Sequence, residues 1–131
     1  MKMNPVVHFE MPAKDKKRTA EFYESVFGWQ MQQMDEKMSN YLLATTTQVD
    51  EKTQRPKDPG AINGGFFDYG QQGTMPHLVI AVDDIVKHME IVKNAGGKIM
   101  GDVMDIPGVG KFVMIQDTED NHVGMLEPSM G

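Results

Sequence analysis

His8 and His77 each open an apolar run, and each run leads through an aspartate into a helix-like stretch that stops at glycine. Imidazole has an ordinary pKa near 6.5, so it is available both as a neutral ligand for borderline divalent metals and as a group that gains or loses a proton. Glu10 stands two residues after His8 and so on the same strand face, where its carboxylate is a candidate base. Glu127, just before Pro128, is a second candidate carboxylate at the end of the last apolar run. The chain has no cysteine, which removes thiolate metal sites, a thiol nucleophile and disulfides from consideration.

The elements that must position these groups repeat. The histidines lie 69 residues apart (8 to 77); the aspartates read as helix N-caps, Asp15 and Asp83, lie 68 apart, as do the helix-ending Gly28 and Gly96. A period this long means a duplicated module rather than a solenoid. Alternation and turn signals predict a strand over 5–10, a helix over 15–27 and strands near 29–36, 40–46 and 61–68. The second copy reads as a strand over 77–82, a helix over 84–95 and strands near 98–105, 110–116 and 122–127. The first helix presents Phe22, Tyr23, Val26 and Phe27 as an apolar stripe to cover a sheet, and the second presents Ile85, Met89 and Val92. Parity groups Val6, His8 and Glu10 on one face and Val123, Met125 and Glu127 on another.

A chain of 131 residues suits one domain or two fused half-domains. Its net charge of −6, with Arg18 and Arg55 as the sole arginines, argues against a phosphate-backbone partner, so no nucleic acid is expected. No apolar run approaches the roughly 18 residues of a membrane span and no signal-peptide core opens the chain, so a soluble, cytoplasmic protein is expected. The polar stretch 46–60 is long for a connection and is a candidate pocket edge. Asn121 is expected to take the left-handed position of the turn after Asp117. Met89, Met104, Met114 and Met125 are candidates for an adaptable apolar pocket.

The run Ala20-Glu21-Phe22-Tyr23-Glu24-Ser25-Val26-Phe27-Gly28-Trp29 resembles the first-helix signature of the glyoxalase/bleomycin-resistance/dioxygenase group, the vicinal oxygen chelate superfamily. Residues 117–128, with a carboxylate just before proline, resemble that group's turn into its last strand. The resemblance implies an α+β fold in one domain, residues 1–131, made of two βαβββ modules at about 5–70 and about 75–128. Its sheet would curve open around a cleft. The resemblance further implies a divalent metal ion (Zn, Ni, Fe(II) or Mn) held by His8, His77 and Glu127 at equivalent strand positions, with coordination sites left for a substrate's oxygens. Glyoxalase I-like members carry a fourth ligand late in the first module; here that position falls on Gly64 or Gly65, while an ungapped match of 65–68 to 124–127 puts Asp68 there instead.

Three functional readings follow. The first is a metal-dependent lyase, isomerase or oxygenase acting on an oxygen-rich small molecule, with Glu127 and Glu10 as catalytic carboxylates. The second is a metal-free, bleomycin-resistance-type protein that sequesters an apolar or aromatic compound. The third is a subunit of a larger assembly with a vestigial cleft. A homodimer is compatible with all three.

Overall fold

The computed structural model describes residues 2–71 and 73–129. The chain divides into two compact units, residues 8–76 and residues 77–129 together with 2–7. The leading segment joins the second unit because the Ala81 N–H donates to the Pro5 carbonyl at 2.9 Å.

In the first unit, β1 (Val6–Ala13) is followed by α1 (Lys16–Phe27), β2 (Gln30–Gln33), β3 (Leu42–Thr45) and β4 (Asn63–Asp68). The strand order is β2-β3-β4-β1, with β4 parallel to β1 and the other pairs antiparallel. Asp15 caps α1 as expected, accepting from Arg18 N, and Gly28 ends it at φ 71°. One sheet face packs under this helix: Ala13, Leu42, Ala44 and Phe66 are buried there with Phe9, Met11, Ala20, Tyr23 and Trp29 against them. The expected helix stripe is therefore only partly right. Tyr23 packs inward, whereas Phe22, Val26 and Phe27 are more than half exposed. The inward arc runs through Ala20 and Tyr23, three residues apart, and leaves positions 22 and 26 to its side.

The second unit follows the same plan. β5 (His77–Ala81) leads to α2 (Ile85–Asn94), then β6 (Lys98–Ile99), β7 (Met104–Ile106), β8 (Gly110–Gln116) and β9 (His122–Pro128). The order is β5-β9-β8-β6, with β7 also pairing β8 and β5 parallel to β9. The single strand expected at 98–105 is two short ones, because Gly101 at φ 113° breaks the extended run. Asp84 rather than Asp83 caps α2, accepting from Lys87 N; Asp83 pairs with Lys2 on the surface at 2.8 Å. Ile85, Val82, Val113 and Met125 form the buried core beneath α2, with Met89 and Val92 packed against it as expected. The four methionines do not form one pocket: Met125 and Met89 belong to this core, Met114 alternates to the other face, and Met104 is 43% exposed. In the turn before β9 it is Asp120, at φ 67°, that takes the left-handed position, since the Asn121 N–H and carboxamide are both held by the Asp117 carboxylate.

Candidate functional site

The face of the first sheet turned away from α1 carries the chemistry. Register places His8 beside Asn63 and Glu10 beside Gly65, with Leu43 on the other side of Gly65. Tyr41, two residues before Leu43, shares that face by alternation. A side chain at Gly65 would occupy the Tyr41 ring: an added Cβ would lie 2.0–2.4 Å from its atoms. The glycine thus lets the ring lie flat across β4, toward β1.

There the phenol joins two groups that the sequence singles out. The Tyr41 hydroxyl donates to Glu10 Oε2 at 2.8 Å and lies 3.0 Å from His8 Nε2. A hydroxyl has one proton, so with that proton on the carboxylate bond the histidine contact is completed by Nε2–H donating to the phenolic oxygen. Burial, with the charge of Glu10 and the bond to it as further causes, pushes the Tyr41 phenol well above its ordinary value of 10.0. Tyr41 is therefore a neutral bridge across the physiological range. Glu10 is only 7% exposed, so this bond satisfies a carboxylate that would be costly to bury unaided.

Asn63, beside His8, is oriented by the end of β3. Its Oδ1 accepts from Thr46 N at 2.7 Å and Thr47 N at 3.3 Å. Backbone N–H groups can only donate, so the side chain's oxygen and nitrogen are assigned by chemistry. The connection that follows is partly ordered, with a Val49–Pro56 bridge and Asp50 accepting from Lys52 N and Thr53 N.

In the second unit, register pairs Val79 with Gly124, so His77, Val79, Gly124 and Leu126 share the face turned from α2. His77 is buried there, 6% exposed. Gly124 is again roofed by an aromatic ring, with an added Cβ meeting Phe112 at 2.7 Å and Val79 at 3.1 Å. Glu127 lies on the opposite face, with Val113, Met125 and the helix. Its Oε1 accepts from Ile85 N at 3.0 Å, at the first turn of α2. It also borders, with Asp105 and Lys111, an open pocket of about 220 Å³.

Of the ligands that the resemblance implies, Glu127 is tied to the first turn of α2. Glu127 serves the helix start on the face away from His77, and the β9 residue level with Val79 on the His77 face is Gly124. Among the described residues, no group of three or more His, Cys, Asp or Glu side chains is placed to hold a metal ion. The fourth-ligand alternatives also resolve by parity: Gly65 shares the His8 and Glu10 face, whereas Gly64 pairs with Phe9, and Asp68 lies toward α1 and pairs with Lys16 at 2.9 Å. His8 and Glu10 do come together, through Tyr41. Tyr41 and Asn63 are the candidates that sequence reasoning missed, because only the register of β3 and β4 brings them beside β1.

Residues 6–125 match the sequence family described as the Glyoxalase/Bleomycin resistance protein/Dioxygenase superfamily. A glyoxylase-like domain-containing protein of Didymella fabae is 33% identical over 120 residues, covering 86% of this chain and 84% of the relative. Among solved structures, a hypothetical protein of Bacillus halodurans superposes with a TM-score of 0.69 at 11% identity, covering 99% of this chain and 98% of that one. The methylmalonyl-CoA epimerase of Streptomyces coelicolor, solved with 2-nitronate-propionyl-CoA, gives 0.70 at 10% identity, covering 98% and 100%. The epimerase of Mycobacterium tuberculosis gives 0.65 at 12%, covering 95% and 88%. Among the described residues no helix is long and apolar enough to cross a membrane.

Proposed function

The chain belongs to the Glyoxalase/Bleomycin resistance protein/Dioxygenase superfamily, and from that premise we propose that it acts on a small molecule by proton transfer at carbon, with Glu10 as the proton acceptor. The observation that carries this reading is the bonded chain Glu10–Tyr41–His8 on the sheet face away from α1. A carboxylate held in a fixed direction beside a bound C–H is placed to take its proton. Tyr41, neutral because its phenol titrates so high, does the holding, and His8 fixes the direction of Tyr41. Epimerisation, isomerisation and elimination beside a carbonyl group each begin with such a step.

The test is exchange of carbon-bound hydrogen for deuterium in D2O, read by proton NMR over a panel of small carbonyl compounds. Glu10→Gln should abolish exchange. Tyr41→Phe, which removes a positioning bond, should lower kcat by about a hundredfold while leaving KM nearly unchanged. Exchange that disappears with a chelator, returns with Zn, Ni, Mn or Fe(II), and depends on His77 and Glu127 would overturn the proposal in favour of the metal-dependent reading. A compound that stabilises the wild type and Glu10→Gln equally, with no exchange, would instead support a sequestering protein of the bleomycin-resistance type.

A further inference from the structure

Three methionines gather on the face of the second unit's sheet that is turned away from α2. Ile99, Val113 and Ile115 pack with the core beneath that helix, so their strand neighbours Met100, Phe112 and Met114 point the other way. Met100, just past β6, keeps the register: its N–H donates to the Met114 carbonyl at 2.8 Å, in line with the Lys98–Gln116 and Ile99–Ile115 pairs. Met104 is the register partner of Phe112 and shares its face. β9 takes one edge of β8, so Met100 and Met104 both stand along the other.

Register sets the spacing. Met100 is directly opposite Met114, at a Cβ separation of about 4.5–5.5 Å, and Met104 is its diagonal neighbour at about 7–8 Å. Each sulfur lies two bonds beyond Cβ on an unbranched chain with three rotatable bonds, so the three can be turned onto one ion above β8. The Phe112 ring does not fill that space, because it leans over Gly124 on the β9 side. Met100 and Met104 are 41% and 43% exposed, so solvent reaches them and neither is core filler, the part that Met89 and Met125 play under α2.

Thioether sulfur is uncharged, polarizable and a weak hydrogen-bond acceptor, so it gains little from water. Its match among metal ions is Cu(I), which takes soft sulfur donors where harder ions take oxygen and nitrogen. Of the Asp, Glu, Lys and Arg side chains on β6, β7, β8 and β9, Lys98 alone shares this face, one row beyond Met100; Asp105, Lys111 and Glu127 line up on the other. A monovalent ion is repelled by that ammonium half as strongly as a divalent one.

We propose that Met100, Met104 and Met114 form a three-thioether site for one Cu(I) ion. Binding forms three Cu–S bonds in place of water, releases no proton and changes no oxidation state. The site uses none of the groups assigned to proton transfer and is independent of that reading.

The probes are Cu(I), kept reduced with ascorbate in the absence of oxygen and competed against bicinchoninate, and Ag(I), its redox-inert counterpart, followed through 13C-labelled methionine methyl groups. Of the 13 methionines, Met100, Met104 and Met114 should shift together and saturate at one equivalent of Ag(I). The exposed Met3 and Met75, which lie outside the strands, should stay in place, and this separates convergence from mere exposure. Met104→Leu and Met114→Leu keep the apolar volume and should each weaken Cu(I) binding at least about tenfold, whereas Met89→Leu should not. Affinity should be flat between about pH 8 and about pH 5.5, because no donor titrates; a site built on His122 would weaken below about pH 6. Should a variant melt early, the wild-type methyl shifts and pH profile decide by themselves. Shifts at Met3 and Met75 in step with the cluster, binding unchanged in both leucine variants, or loss of binding in His122→Ala overturns the site. Equal affinity for Zn(II) at the same methyl groups overturns the choice of ion.

Discussion

The two modules solve the same packing problem with different chemistry. Register aligns His8 with His77, Glu10 with Val79, Tyr41 with Phe112 and Gly65 with Gly124, since each stands at the same offset from the glycine on its module's parallel strand. In both modules a glycine admits an aromatic ring laid across the strand. In the first the ring carries a hydroxyl and meets a carboxylate; in the second it is a phenylalanine beside a valine. The glycines therefore belong to the packing, and two differences, Tyr for Phe and Glu for Val, give the first module's face its Tyr41–Glu10 hydrogen bond.

A methyl group added at each glycine breaks this comparison most sharply. Gly65→Ala forces the Tyr41 ring away and cuts both of its hydrogen bonds, while Gly124→Ala presses only on Phe112 and Val79. Overpacking of this kind costs about 1–3 kcal/mol. Both variants should fall in that range by chemical denaturation, with Gly65→Ala the more costly because it also removes the Tyr41 bond to a buried carboxylate. Adding Tyr41→Ala should recover most of the packing loss but none of the bonding loss. A Gly65→Ala variant as stable as wild type would mean that the ring does not lie on β4.

The second test uses pH. Tyr41 titrates higher in the folded chain than its ordinary 10.0, so the folded state holds its proton where the unfolded state begins to release it. The stabilisation is complete below about pH 10 and is lost as pH rises from there toward the folded-state value. Each pH unit in that window should weaken folding by up to roughly tenfold for this one group. Tyr41→Phe should lose that alkaline component, and Phe112→Leu in the other module should retain it. Identical alkaline melting of wild type and Tyr41→Phe would contradict the burial of the phenol.

How far the sequence reaches follows the same division between what is local and what needs register. The duplication, α1 with its Asp15 cap and Gly28 stop, and the common face of His8 and Glu10 are local patterns, and each is found in the fold. Asp83 and Asp84 are adjacent, so composition could not choose the cap between them. Phe22 and Val26 show that apolar spacing does not set the inward direction, which depends on where the sheet lies. Glu127 is more instructive, because alternation already groups it with Val123 and Met125, and it is the core-facing apolar set that packs under α2. The family resemblance suggests a ligand at that carboxylate, and the fold has it accept the Ile85 N–H at the start of α2. Tyr41 and Asn63 were beyond reach, since their roles appear only when β1, β3 and β4 are laid side by side.

The smallest effect belongs to the carboxylates three residues after each glycine, Asp68 and Glu127. Both serve the start of their module's helix, but by different means. Asp68 reaches the side chain of Lys16, an ion pair whose carboxylate is 55% exposed, and such pairs contribute about 0–1 kcal/mol. Glu127 accepts a backbone N–H, from Ile85, that has no partner within its own helix, and places its charge at the positive end of α2. Loss of a capping oxygen costs about 0.5–2 kcal/mol. Glu127→Ala should therefore destabilise by about 1 kcal/mol and Asp68→Ala by about half of that or less. Glu127→Gln should recover most of the loss, because a carboxamide oxygen still accepts from Ile85 N and only the charge is gone. Hydrogen exchange at the Ile85 amide separates capping from a metal-holding role: it should accelerate in Glu127→Ala and stay slow in Glu127→Gln, with or without added zinc. If zinc protected the wild type strongly while both variants lost that protection, the carboxylate would be acting as a ligand and the helix bond would be secondary.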